Sequence, residues 1–183
     1  MSSLSTFKSP ATYHLLSYGT LLGSTIFQSF IGGVVAYRAL PRAQFSTLQK
    51  SIFPPYFVLQ SVAPLAMWLT YPRSLLSAFT SSTTLKPTTS NDKLNAYLIT
   101  TMFVTAVLNL GYVGPQTTEI MRLRKHQETR DGKKSYDEGP HSKEMQALNR
   151  KFTILHSVSS LVNLVGLGAM VWYGGVLGEA ASI

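Results

Sequence analysis

Four long runs of this sequence, at about 13–37, 52–71, 94–118 and 152–177, carry no Asp, Glu, Lys or Arg. At 1.5 Å of helix rise per residue, roughly 20 apolar residues cross a hydrocarbon layer of about 30 Å, and each run reaches that length. A membrane β-strand would instead show about 10 residues of alternating polarity, and these runs do not alternate. Four helices apolar on every face would leave a soluble chain of 183 residues too little polar surface. The sequence therefore predicts an all-α, four-helix transmembrane bundle. It forms a single domain over 1–183, with a basic loop over 119–151.

Only 13% of the residues are charged, about half the usual share in soluble chains. The absence of cysteine removes disulfides, thiolate-ligated metals and thiol catalysis from consideration. The net charge of +8 does not point to nucleic acid, because the basic residues lie in loops between apolar runs, where topology explains them. The stretch Met1–Pro10 is too polar and too weakly basic for a signal peptide, so the first run is expected to stay as a membrane span. Twelve of the sixteen Lys and Arg residues flank the loops after the first and third runs; Lys8, Arg73, Lys86 and Lys93 lie on the other side. The positive-inside rule then expects the basic side in the cytoplasm, with both termini and the Ser/Thr-rich segment Ser74 to Asp92 opposite.

The second run is the least regular. Pro54 and Pro55 stand at its start and Pro64 within it. Before it, Phe45, Leu48 and Ile52 share one helical face, which suits either a short interfacial helix or an extension of the span. In the 119–151 segment, Asp131-Gly132 and Gly139-Pro140 mark a turn, and Asp137 and Glu138 read as solvent-facing.

Polar residues inside the runs carry most of the functional information. Each run holds one amide, Gln28, Gln60, Asn109 or Asn163, at a similar depth from the basic side. An amide facing lipid would leave its donors and acceptors unpaired, so the four are expected to face inward as one polar layer. That layer would set helix register or line a polar solute site. His14 and His156 begin their spans on opposite sides of the bilayer, too far apart to share a metal. Arg38, Gln116, Thr117 and His156 reach one level at the inner ends and form a candidate polar cluster at the inner mouth. Tyr13, Tyr37, Tyr71, Tyr97, Trp172 and Tyr173 sit near span ends, as interfacial aromatics do. Met67, Met102 and Met170 read as core. Gly19 with Gly23, Ser29 with Gly33, and Gly111, Gly114, Gly166 and Gly168 offer small-residue faces for packing within the chain or with a homo- or hetero-oligomeric partner.

Two stretches resemble a known family. Tyr37-Arg38-Ala39-Leu40-Pro41-Arg42, then Phe45, Gln49 and Ile52-Phe53-Pro54-Pro55-Tyr56-Phe57, resemble the signature of transmembrane protein 205-like proteins, which carry the domain of unknown function 4149. Ala147-Leu148-Asn149, Phe152, His156, Ser159-Ser160-Leu161 and Asn163-Leu164 form a second match, and Asn109 with Pro115, Thr117 and Thr118 a weaker one. The loop Gly132-Lys133-Lys134-Ser135-Tyr136-Asp137 is similar to the fungal branch. The resemblance implies a four-span membrane protein without assigned catalytic residues.

No phosphate-binding glycine loop, zinc-protease motif or Ser–His–Asp spacing is present. No catalytic residue, metal or cofactor is therefore expected. The expected function is non-enzymatic membrane organisation, or binding of partners or lipids, including anionic headgroups. Transport or tolerance of a small solute or metal is the alternative.

Overall fold

A computed structural model describes residues 7–72, 75 and 90–181. Most of the segment Ser74 to Asp92 therefore lies outside the described residues. The described chain is all-α, with four helices long and apolar enough to cross a membrane.

The first span comprises α1 (Pro10–Ile26), a π-helical segment (Phe27–Gly32) and α2 (Gly33–Ala39). Pro10 starts it, where a missing N–H costs nothing. Leu40 ends it in an extended conformation (φ −110°, ψ 144°), because the following Pro41 disfavours a helical residue before it. The elbow is pinned from both sides: Tyr37 meets Phe45 edge-on at 5.3 Å, and the Arg42 guanidinium lies 3.8 Å above the Tyr37 ring.

From there α3 (Arg42–Thr70) runs unbroken for 29 residues, through Pro54, Pro55 and Pro64. No separate interfacial helix precedes the second span; 42–51 is its N-terminal extension. The prolines remove amide donors without breaking the rod, and the carbonyls of Lys50, Ser51 and Gln60 lose their helical partners.

The third span joins α4 (Ser90–Leu108), a π-helical segment (Asn109–Val113) and α5 (Gly114–Asp131), which ends at Gly132 in the left-handed conformation (φ 64°). The fourth element, α6 (Lys143–Ala181), has 39 residues. Ser142 caps it, accepting from the Met145 N–H at 3.1 Å.

The spans form a closed ring in which α1 packs on α3, α3 on α4, α4 on α6 and α6 back on α1. At its centre are Leu21, Ala63, Met67, Leu75, Ala96, Ile99, Met102, Ala169, Met170 and Tyr173. Met67, Met102 and Met170 are thus core residues. Several serine and threonine hydroxyls inside the spans bond to carbonyls of their own helix, as Thr25 does to Leu21 (2.7 Å) and Thr105 to Thr101 (2.8 Å).

Candidate functional site

Polar chemistry gathers at three levels of the bundle. The end where α1 begins is held by a network joining all four spans. His14 is 4% exposed. Its Nδ1 lies 2.9 Å from the Met67 carbonyl, which can only accept, so the proton sits on Nδ1. Its Nε2 then accepts from the Tyr173 hydroxyl at 2.6 Å. The Tyr18 hydroxyl donates to the Met170 carbonyl at 3.1 Å, and its ring meets Tyr173 edge-on. Beside them Tyr71 donates to Asp92 (3.0 Å) and accepts from Asn95 (2.8 Å). Asp92 and Asn95 are both buried.

This network corrects the expectation for two of the span-end aromatics. Tyr71 and Tyr173, like His14, turn inward as ties between helices rather than outward as interfacial aromatics do. Tyr13, Tyr37, Tyr97 and Trp172 are exposed, as interfacial aromatics are. Position alone could not separate the two groups, because helices apolar on all sides give no signal of which way they are turned.

At mid-depth the four amides do not meet as one layer. Asn109, fully buried, donates to Asn163 Oδ1 at 3.1 Å and to the Ser159 carbonyl at 3.4 Å. Gln60 donates to Tyr56 (2.8 Å) and Thr25 (3.0 Å). Gln28 is half-buried and turns instead toward Gln49 on the extension of the second span, at 3.4 Å. Depth estimated from residue counting missed this, because the partner lies outside the apolar run. None of the four amides faces lipid fully. The acceptor oxygens Gln60 Oε1, Asn95 Oδ1 and Asn109 Oδ1 are buried and unpaired.

Small residues contribute unequally. A Cβ on Gly166 would lie 2.7 Å from Thr105 Oγ1, so the third and fourth spans touch there because residue 166 has no side chain. Gly19, Gly23, Gly111 and Gly168 meet nothing within 4 Å, so their expected packing role is not exercised within the chain.

At the opposite end, no hydrogen bond, ion pair or ring contact joins Arg38, Gln116, Thr117 and His156 to one another. Arg38 is exposed on α2, which packs against α3. Gln116 is exposed, and the Thr117 hydroxyl bonds to Val113 of its own helix at 2.7 Å. His156 is exposed and stacks on Phe152, with ring centroids 5.8 Å apart. Four residues counted to one depth need not touch.

What assembles there is a helical hairpin formed by the ends of α5 and α6. Arg124 lies over the Phe152 ring at 4.5 Å, with its Nε buried and unpaired. Burial lowers the pKa of its guanidinium, an effect the nearby Glu128 partly offsets. Glu128 accepts from the Ser135 hydroxyl (2.7 Å) and backbone N–H (3.1 Å), while Asn149 donates to the Ser135 carbonyl (3.2 Å). Burial alone would raise the Glu128 carboxyl, but Ser135, then Lys125 and Lys134, outweigh it and hold it below the usual range. Ser142 donates to Asp131 at 2.6 Å and closes the turn. Asp137 and Glu138 are exposed, with Asp137 accepting from the Lys134 N–H at 2.8 Å.

Among the described residues, no three His, Cys, Asp or Glu side chains gather as metal ligands. The family described as domain of unknown function DUF4149 matches residues 16–126. The chain belongs to this family. The match takes in the first three spans and the base of the hairpin; the hairpin tip and the fourth span lie beyond it. The chain is also similar to the xanthocillin biosynthesis cluster protein D of Aspergillus fumigatus, with 29% identity over 179 residues, 97% of this chain and 94% of that protein. No solved structure matches. This DUF4149 chain is a multi-pass, all-helical membrane protein.

Proposed function

We propose that this protein is a non-enzymatic membrane component that binds anionic lipid headgroups at the base of its basic hairpin. The carrying observation is Arg124. Its guanidinium is held against Phe152 just beyond the third apolar run, its Nε has no acceptor, and the nearest carboxylate, Glu128, is already engaged by Ser135. A lipid phosphate would add negative charge beside a guanidinium that Glu128 only partly compensates. Arg122, Lys125, Arg150 and Lys151 surround the same level. The buried imidazole of His14 is engaged in the fold: both its ring nitrogens are bonded to neighbouring spans.

The test is lipid retention in nanodiscs, read by native mass spectrometry. Bilayers containing phosphatidylserine should leave more lipid bound than neutral ones, and Arg124→Gln should remove the difference. Equal retention in both bilayers would overturn the reading.

A second reading, handling of a small solute, draws on the relative named for a biosynthesis cluster and on the unpaired Asn109 oxygen at mid-depth. Solute flux through proteoliposomes that is abolished by Asn109→Leu, with lipid retention unchanged, would favour it.

A further inference from the structure

A groove of about 400 Å³ runs along the outside of the bundle between the first span and α3. Ser24, Phe27 and Gln28 form one wall; Ser51, Ile52, Pro55, Tyr56 and Leu59 form the other. No ionisable group lines it except the phenol of Tyr56. It has a polar end and an apolar end. The second apolar run begins at about residue 52, so Ser51 lies at the membrane boundary. Leu59 lies eight residues deeper on the same helix, about 12 Å at 1.5 Å per residue. Gln28, bonded to Gln49, sits at the Ser51 end of the facing wall.

The boundary end carries an unusual acceptor. In a regular helix the Ser51 carbonyl accepts from the amide of residue 55. Here residue 55 is proline and has no N–H to give. Ser51 and Pro55 both line the groove. The Ser51 hydroxyl is turned away from it, donating to the Thr47 carbonyl at 3.1 Å. A backbone acceptor at the edge of hydrocarbon needs a donor.

We infer that this groove binds a membrane sterol, with the sterol hydroxyl at the Ser51 carbonyl and the fused rings against Phe27, Ile52, Pro55 and Leu59. Each part of the site selects for that chemistry. The absence of a charged lining disfavours phosphate-bearing headgroups. The orphan carbonyl requires a hydroxyl that donates. The polar end lies at the boundary and the apolar walls lie deeper, which is the orientation of a sterol in a leaflet. Proline and aromatic walls present rigid faces to a rigid ring system. The inference is independent of the anionic-lipid reading, whose residues lie on α5 and α6.

The experiment uses the full chain in phosphatidylcholine vesicles with a photoactivatable sterol that keeps its free hydroxyl. Labelling should map to the peptides around 24–28 and 51–59. Unlabelled sterol should compete, and its methyl ether, which cannot donate, should compete about tenfold less well, as for a lost hydrogen bond to a buried acceptor. Leu59→Trp should fill the groove and abolish labelling, while Leu69→Trp, lipid-facing elsewhere on α3, should leave it unchanged. Pro55→Ala returns an N–H to the Ser51 carbonyl and should erase the preference of the site for the free hydroxyl while leaving the fold intact, as read by thermal unfolding. The inference fails if the methyl ether or a diacylglycerol competes as well as the sterol. It also fails if Leu59→Trp labels normally, or if Pro55→Ala keeps the hydroxyl preference.

Discussion

His14 and Tyr173 are separated by 159 positions in the chain and bonded at 2.6 Å in the core. Removing the phenol leaves a buried imidazole nitrogen without a donor. Tyr173→Phe should therefore destabilise the bundle by about 1–3 kcal/mol. His14→Phe combined with Tyr173→Phe should cost clearly less than the sum of the single changes, since neither partner of that hydrogen bond is left orphaned, although the Met67 carbonyl keeps only the Thr70 hydroxyl at 3.4 Å. Chemical unfolding in detergent measures both. The Asn109–Asn163 pair should behave alike: Asn109→Leu strands the Asn163 carbonyl oxygen, and a matching Asn163→Leu should recover part of the loss. Several residues of these pairs were legible in the sequence, because an amide or histidine in an apolar run stands out. Their partners were not. Apolar helices of this length carry no stripe to indicate rotation, so inward-facing Tyr173 and outward-facing Trp172, adjacent in sequence, look alike.

The helices themselves were legible, since runs without charge and the prolines at 41 and 72 set their length and ends. The π-helical segments were not. In the third span the Gly114 N–H donates to the Asn109 carbonyl, and a Cβ at 114 would stand 2.6 Å from that oxygen. Backbone cannot yield there as a flexible side chain could. Gly114→Ala should lower thermal stability, whereas Gly111→Ala, where nothing lies within 4 Å, should be nearly neutral or mildly stabilising. The hairpin allows a test against pH. Its Glu128 carboxyl titrates below the ordinary value of about 4.5 when folded, so its contribution is complete above that pH. The contribution disappears as pH falls through the lower, folded value. Protease resistance of the hairpin should decline in that acidic window, and Glu128→Gln should remove the pH dependence. The sequence marked the turn through Asp131-Gly132 and Gly139-Pro140, but the clasp of Glu128 with Ser135 depends on a fold-back that local patterning does not encode.

The ring of four spans has a direction, and the basic residues give an expectation for it. The hairpin should lie in the cytoplasm and the described N-terminal end of α1 on the far side. In sealed vesicles with the cytoplasmic face outward, added protease should reach the hairpin and spare the N-terminus; the reverse pattern would invert the orientation. The hairpin is also a continuation of two spans rather than a loop laid on the surface. From about residue 118 to Asp131, α5 rises roughly 20 Å past the end of its apolar run, and α6 starts nine residues before its own run. The headgroup layer takes up only about 5–7 Å of that height. The tip, with Arg130, Lys133 and Lys134, therefore stands clear of the phosphates by more than the roughly 8 Å over which charges are felt in physiological salt. The protein thus carries a stiff mast, whose foot should lie within electrical reach of the membrane and whose head should not. Whatever the head meets, it meets in the aqueous phase, at a standoff set by helix length.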